Sequence, residues 1–264
     1  MRTALSSSRT ALSSARMVIR NFSNVLAYPG TAGNYADFGS ATLFDSTLPF
    51  AVEMWINCES YFDAKTTGVH GILNIKTDQG VPFVFFLQGS AGVIFKCGAN
   101  SIFPTFAATG SKSDIIKDII SKGWNQIVMV YNGVDRTAAS SYTFYFNGTA
   151  KTMGTTSVPS ATSHLNTAGR LGATFPGRFN ICSLRIWNGG SAMTANQVMA
   201  LYRDNVLPTG PTLIRNFPHT NGSGTTITET VSGQNGTITG TVPWNTSGPL
   251  RTRDKISTAR GLTI

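Results

Sequence analysis

From Asn24 the pattern of the chain turns to period two, and FAVEMWINC shows it most plainly. Phe50, Val52, Met54, Ile56 and Cys58 fall on one face, and Glu53, Trp55 and Asn57 fall on the other. A period of two marks a strand with one face toward a core. GVPFVFFLQG, GVIFKCG (Gly92 to Gly98), WNQIVMVYNG (Trp124 to Gly133) and RFNICSLRIWN (Arg178 to Asn188) read as further strands, several of them bounded by glycine or closed by Asn-Gly. The sharpest local signal is YTFYF-NG-TAKTM (Tyr142 to Met153), where Asn147-Gly148 can supply the positive φ angles of a two-residue hairpin turn.

Two segments break the alternation. SKSDIIKDIISKG predicts a short helix with Ser113 as its N-cap and Gly123 after its end. AMTANQVMALYRDN predicts a second, with Thr194 and Gln197 in capping-box spacing and Val198, Leu201 and Tyr202 as the buried stripe. In the tail, TTITETVSGQNGTITGTVPW suggests two more short strands around Asn235-Gly236. The expected fold is therefore all-β: one antiparallel two-sheet jelly-roll sandwich over residues 24–250, with two short helices and extended terminal arms at 1–23 and 251–264.

The N-terminal arm repeats itself, RTALSSS (Arg2 to Ser8) followed by RTALSSA (Arg9 to Ala15). The period of seven puts Leu5, Leu12 and Ile19 on one stripe and Arg2, Arg9 and Arg16 on another. A coiled-coil seam needs two apolar positions per heptad, and this arm has barely one. An arm with helical tendency that orders against a partner is the expectation. Its Arg- and Ser-rich, acid-free composition superficially matches a mitochondrial transit peptide, but from a chain that starts at Met1 no cleaved leader is expected.

Charge sharpens the division. Of a net +9, Arg2, Arg9, Arg16 and Arg20 place +4 in the first twenty residues. Arg251, Arg253, Lys255 and Arg260 against Asp254 place +3 in the last fourteen, leaving +2 for the body. The arms are therefore the expected anchors to an acidic partner, another protein or further copies of the chain, and nucleic acid is not expected on the body. Charged residues are 12%, about half the usual share, with 25 Ser and 34 Thr in their place. Such a hydroxyl-rich surface accompanies β-rich proteins that work outside a cell or on a particle. The longest apolar run, VPFVFFL, is too short for a membrane-spanning helix. Cys58, Cys97 and Cys182 lack metal spacing and are expected as free thiols.

Taken in order, FAVEMWIN, WNQIVMVYNG, YTFYFNGTAKT, LGATFPGRFNICSLRIWN and AMTANQVMALY resemble the concanavalin A-like superfamily. The nearest resemblance is to the laminin-G-like jelly rolls found in bacteriophage structural proteins. It covers roughly residues 24–247. The resemblance implies a lectin-like sandwich, surface glycans as possible partners, and calcium as a possible cofactor that cannot be mapped onto this chain. Where that family usually has an Ile-Asp-Glu-Val strand, this chain has Ile181-Cys182-Ser183-Leu184, so a polar or metal role of those two acids is not carried over.

The chain carries no recognisable catalytic signature. The superfamily also includes glucanases, and glycoside hydrolysis generally needs two facing carboxylates. The only glutamates are Glu53, Glu59 and Glu229, and none has an acid two residues away. Glu53 reads as a cross-strand polar residue. His70, His164 and His219 are scattered without ligand spacing. Gly172 to Gly177 mimics phosphate-loop glycine spacing, but Arg178-Phe179 follows in place of Lys-Ser/Thr. Aromatic residues can stack on a pyranose: Trp55, Tyr61, Phe62, Trp124, Tyr131, Trp187 and Trp244 lie near strand ends or turns, with Trp124 and Trp187 assigned to the core. Tyr61, Phe62 and Asp63, in a polar loop after a strand, are the preferred ligand candidates. The sequence thus predicts a non-enzymatic virion structural protein (capsid decoration, head fibre or tail), its sandwich exposed and its arms anchored to other virion proteins. A secreted or cell-surface carbohydrate-binding module is the alternative, and a glycoside hydrolase ranks third.

Overall fold

A computed structural model describes residues 24–39, 44–45, 47–58, 69–77, 82–88, 92–97, 105–108, 123–136, 138–157, 165–171 and 178–246. Its first strands are β1 (Val25–Pro29), β2 (Tyr35–Asp37), β3 (Phe44–Asp45), β4 (Phe50–Asn57), β5 (Val69–Thr77) and β6 (Pro82–Gln88). Then follow β7 (Gly92–Cys97), β8 (Thr105–Ala108), β9 (Trp124–Tyr131), β10 (Tyr142–Phe146), β11 (Thr149–Lys151) and β12 (Met153–Ser157). The last are β13 (Leu165–Leu171), β14 (Arg178–Gly190), β15 (Pro211–Phe217), β16 (Thr226–Ile227), β17 (Gly236–Thr239) and β18 (Trp244–Asn245). Helix α1 (Ala195–Asp204) separates β14 from β15.

All described pairings are antiparallel, and they build two sheets. Sheet A runs β11-β10-β9-β4-β14-β1-β18, with β15 also on β14. Sheet B runs β12-β8-β7-β6-β5-β13-β2-β17-β16, with β3 also on β13. The 13-residue β14 carries β4 along one edge, while β1 and then β15 share the other. The inter-sheet core takes the alternate residues expected of β4, namely Phe50, Val52, Met54, Ile56 and Cys58. Ile127, Met129 and Tyr131 of β9, and Ile181, Leu184 and Ile186 of β14, join them. Sheet B contributes Ala36, Ile72, Leu73, Ile227 and Ile238. The architecture is the all-β antiparallel sandwich expected.

The opposite face of sheet A is buried too, because α1 lies on it. Val198 and Leu201 are fully buried against Ala51, Val128, Val130, Tyr145 and Trp187. Burying each of these two helix side chains contributes about 1.5–3 kcal/mol. Thr194 caps the helix and exchanges hydrogen bonds with Gln197, as the capping-box spacing predicts. Asn205 ends it in the left-handed region at φ 55°. The third member of the expected stripe, Tyr202, is half-buried and stacks on Trp55 with ring centroids 5.8 Å apart. The helix expected from Ser113 and the phosphate-loop mimic at Gly172 lie outside the described residues, as do both basic arms.

The β10–β11 hairpin turns at Asn147 (φ 50°) and Gly148 (φ 76°), the expected mirror-image turn. Gly148 also has a packing reason: a Cβ there would meet Met199 Sδ and Tyr202 at 3.0 Å. The turn is seated beneath α1 by its neighbour, since Asn147 Oδ1 accepts from the Gln126 amide at 2.9 Å.

Candidate functional site

Among the described residues, β16, β17, β2 and Arg170 of β13 present exposed or half-buried side chains on the face of sheet B turned away from the core. In β2, Ala36 points into the core, so Tyr35 and Asp37 point the other way. In β17, Gly236 and Ile238 are buried while Thr237 and Thr239 are exposed, and in β16 Ile227 is buried while Thr226 is exposed. The register then aligns the outward residues: Thr226 opposite Thr237, Thr237 opposite Asp37, and Asp37 opposite Arg170 of β13. Tyr35 stands opposite Thr239 in the neighbouring row. Four residues at the usual strand spacing of about 4.8 Å make a row roughly 14 Å long.

The centre of that row is held in place. Arg170 Nε donates to Asp37 Oδ2 at 2.8 Å, and the guanidinium carbon lies 4.7 Å from the centroid of the Tyr35 ring. Asp37 is fixed in turn, because its Oδ1 accepts from the Gly39 amide at 2.8 Å. The loop entering β2 is tied to the exit of β17, where Asn34 Oδ1 accepts from the Thr241 amide. The Arg170 and Asp37 side chains remain 43% and 28% exposed, so the pair is ordered yet open to a ligand. Ion pairing at such exposure adds little stability, typically 0–1 kcal/mol. Here its effect is orientation: a guanidinium clamped at Nε and stacked on an aromatic ring loses little further freedom on binding.

A separate concavity of about 300 Å³ opens at the β10–β11 edge of sheet A. Met129, Tyr142 and Phe144 form an apolar lining, with Ser140, Lys151 and Thr152 also on its wall. The apolar members are also inter-sheet core residues or pack on that core, so this cavity extends the core lip.

The described glutamates serve structure. Glu53 is fully buried under the helix-covered face of sheet A. Its Oε1 accepts from Trp55 Nε1 at 3.1 Å and Gln126 Nε2 at 2.6 Å, and its Oε2 accepts from an Arg185 η nitrogen at 3.1 Å. It is the cross-strand polar residue expected, directly opposite Arg185, although covered by the helix instead of facing solvent. Glu229 folds the 228–235 loop around its carboxylate. Oε1 accepts from the Asn216 and Val231 amides at 2.8 Å, and Oε2 accepts from the Gly233 amide at 2.8 Å and from both the amide and the hydroxyl of Ser232. Burial alone would raise the Glu229 carboxyl, but the Ser232 hydroxyl and the amides of Asn216, Val231 and Ser232 outweigh it and hold the carboxyl below its ordinary value. Among the described residues no three of His, Cys, Asp and Glu converge as metal ligands.

The expected ligand residues Tyr61, Phe62 and Asp63 lie outside the described residues. The same holds for the expected anchors Arg2, Arg9, Arg16, Arg20, Arg251, Arg253, Lys255 and Arg260. Of the other aromatic candidates, Trp187 and Tyr131 are core residues, and Trp55 is held between Glu53 and Tyr202. Trp124 is half-buried against the Trp55 cluster, and Trp244 donates from Nε1 to the Gly224 carbonyl at 2.8 Å. Cys58 and Cys182 are buried thiols, and the Cys182 thiol donates to the Trp55 carbonyl at 3.9 Å. Tyr35, Asp37 and Arg170 were not singled out by sequence. Their strands are three and seven residues long, and Asp37 and Arg170 are 133 positions apart.

Comparison with protein-family models and with curated proteins finds no match. Among solved structures, the chain is similar to a heptameric SAP-like pentraxin from Limulus polyphemus. That likeness has TM-score 0.42 and 13% identity, over 70% of this chain and 83% of the other. It is also similar to domain 4 of AbnA, an extracellular arabinanase from Geobacillus stearothermophilus, at TM-score 0.39 and 22% identity over 63% and 69%. The Trypanosoma rangeli sialidase gives TM-score 0.42 and 14% identity, covering 61% of this chain and 23% of that one. None of these likenesses is close enough to carry an argument about what this chain binds or does.

Proposed function

We propose that the protein is a non-catalytic, lectin-like sandwich that binds glycans on the outward face of β16, β17, β2 and β13. The observation that carries this reading is the clamped row Thr226–Thr237–Asp37–Arg170 with Tyr35 stacked beneath the guanidinium. Sugar hydroxyls both donate and accept, so they call for donors and acceptors side by side. Asp37 supplies an acceptor, Arg170 supplies donors, and the threonine hydroxyls do both. A 14 Å row matches about three pyranose units laid along it, each close to the strand spacing in length. The non-catalytic part of this reading is supported by the two described glutamates, Glu53 and Glu229, which are committed to buried hydrogen-bond networks.

The test is amide NMR of the full-length chain titrated with a glycan library. Glycans that bind should shift Tyr35, Asp37, Thr237 and Thr239 and leave α1 unmoved, with no product formed. A library in which no glycan perturbs that face refutes the assignment.

One observation favours an additional role on a particle: +7 of the net +9 charge lies in the two terminal arms. On that reading the arms anchor the chain to an acidic surface of a virion, and the sandwich, of the laminin-G-like kind, faces outward. Deleting residues 1–20 should abolish incorporation while leaving the melting transition of the sandwich unchanged. Full occupancy by the truncated chain rules anchoring out.

A further inference from the structure

The guanidinium of Arg170 has five N–H donors in a planar fork. One is spent on Asp37 through Nε, which closes that edge. Tyr35 closes one face of the plane. The two terminal nitrogens make no hydrogen bond to any described residue, and the side chain is 43% exposed. What remains open is the edge formed by those two nitrogens, presenting parallel N–H groups from a side chain that is already fixed.

We propose that this edge receives the carboxylate of an acidic sugar, so that the glycan bound by the face contains a hexuronic acid. The inference rests on the glycan-binding reading of the same face and specifies its ligand class. A planar two-oxygen carboxylate matches two parallel N–H donors and makes a charge-assisted pair that a neutral sugar hydroxyl cannot. Asp37 does not forbid this. It lies on the other side of the guanidinium, so an incoming carboxylate sits roughly twice as far from Asp37 as from Arg170, and attraction exceeds repulsion. Asp37 also holds the fork against rotation, which lowers the entropic penalty of binding. On a pyranuronic acid the carboxylate is bonded directly to the ring. An oligosaccharide with a uronic acid at its Arg170 end can therefore place that sugar's carboxylate on the open edge while its further units lie along Asp37, Thr237 and Thr226. Lysine could not replace the arginine, because an ammonium is a point charge without the fork.

The test uses the full-length protein, so the basic arms are the same in every comparison. The probes are trigalacturonate, its fully methyl-esterified form, and a sulfated neutral trisaccharide, measured by calorimetry and by amide shifts at Tyr35, Thr237 and Thr239. Trigalacturonate should bind at least tenfold more tightly than its ester, and R170K, which keeps the charge, should lose most of that preference. Tyr35→Ala, which removes the ring but leaves the Asp37 pair, provides the second variant should R170K fold poorly. It should weaken trigalacturonate by severalfold with the preference for acid over ester retained. The inference is overturned if the ester binds as well as the acid, if R170K is indistinguishable from the parent, or if the sulfated probe binds more tightly than trigalacturonate. In those cases shifts at Tyr35, Thr237 and Thr239 with neutral sugars would leave the glycan-binding reading standing. Absence of any shift with every probe would remove both.

Discussion

Arg185 and Glu53 stand directly opposite one another in β14 and β4, and their side chains meet at 3.1 Å with 9% and 0% of their surface exposed. The pair ties more than two strands. Glu53 reaches Gln126 of β9, while Arg185 donates to Asn205 at the end of α1 and to Asn216 of β15. A buried carboxylate and guanidinium are tolerated only with their hydrogen bonds in place. Glu53→Ala should therefore destabilise the sandwich by about 3–5 kcal/mol, since it leaves a buried cation unpaired. In a cycle of the parent, Glu53→Leu, Arg185→Met and the double variant, the double should be much milder than the two single losses added together. Urea unfolding of the four proteins reads this coupling, and strictly additive losses would show that the pair is not a unit.

Glu229 gives an acid-sensitive joint in the 228–235 loop. Its carboxyl is held below its ordinary value, so its contribution to stability is fully present above about pH 4.5 and is lost as pH falls through the folded value. Glu229→Gln keeps the size but loses the charge-assisted bonds, each worth about 1.5–3 kcal/mol. A loss of roughly 2–3 kcal/mol at pH 7, fading toward pH 3, is expected in thermal or urea melts. An equal loss at both pH values would show that the charge is not what matters.

Gly190 tests how tightly the end of β14 meets the start of β15. It sits at φ 69°, and a Cβ built there would lie 2.0 Å from the Gly210 carbonyl oxygen. Gly224 has a similar φ of 75° with nothing within 4 Å. Gly224→Ala should cost only the left-handed penalty, about 1–2 kcal/mol. Gly190→Ala should cost at least about 2 kcal/mol more, because backbone must move. Equal melting temperatures for the two variants would contradict the close approach.

What the sequence made legible was whatever depends on near neighbours. The alternation of Phe50 to Cys58, the Asn147-Gly148 turn and the Thr194–Gln197 cap are all set within a few residues, and the structure has each of them. The period two expected from Asn24 does not hold through β1, because Val25, Leu26, Ala27 and Tyr28 are all buried, with Leu26 and Tyr28 in the inter-sheet core and Val25 against the Trp55 and Cys182 cluster. Glu53 read as outward-facing because period two gives a strand its faces and cannot say that a helix will cover one of them. The Asp37–Arg170–Tyr35 cluster is the extreme case: it arises from register between β2 and β13, across 133 positions, with no local pattern to announce it.

His219 makes the last prediction, and it separates from Glu229 by its pH window. The ring is fully buried, and neither nitrogen finds a well-aligned hydrogen-bond partner. Burial lowers its pKa from 6.5 to about 4, with the nearby backbone of Phe217 and Cys182 opposing the shift weakly. The folded state therefore resists a proton that the unfolded chain accepts. Stability should be flat above about pH 6.5, fall as pH drops toward 4, and level off below that. A depression of this size amounts to about 3 kcal/mol at most over the window. His219 sits at φ 50°, a conformation that asparagine also adopts readily, so His219→Asn removes the titration without forcing the backbone. The variant should be less stable than the parent at pH 7 and lose the slope between pH 6.5 and 4.5, while the Glu229 transition below pH 4.5 persists. Urea midpoints measured across pH 3 to 8 decide the matter: an unchanged slope between 6.5 and 4.5 in His219→Asn would assign the acid sensitivity elsewhere.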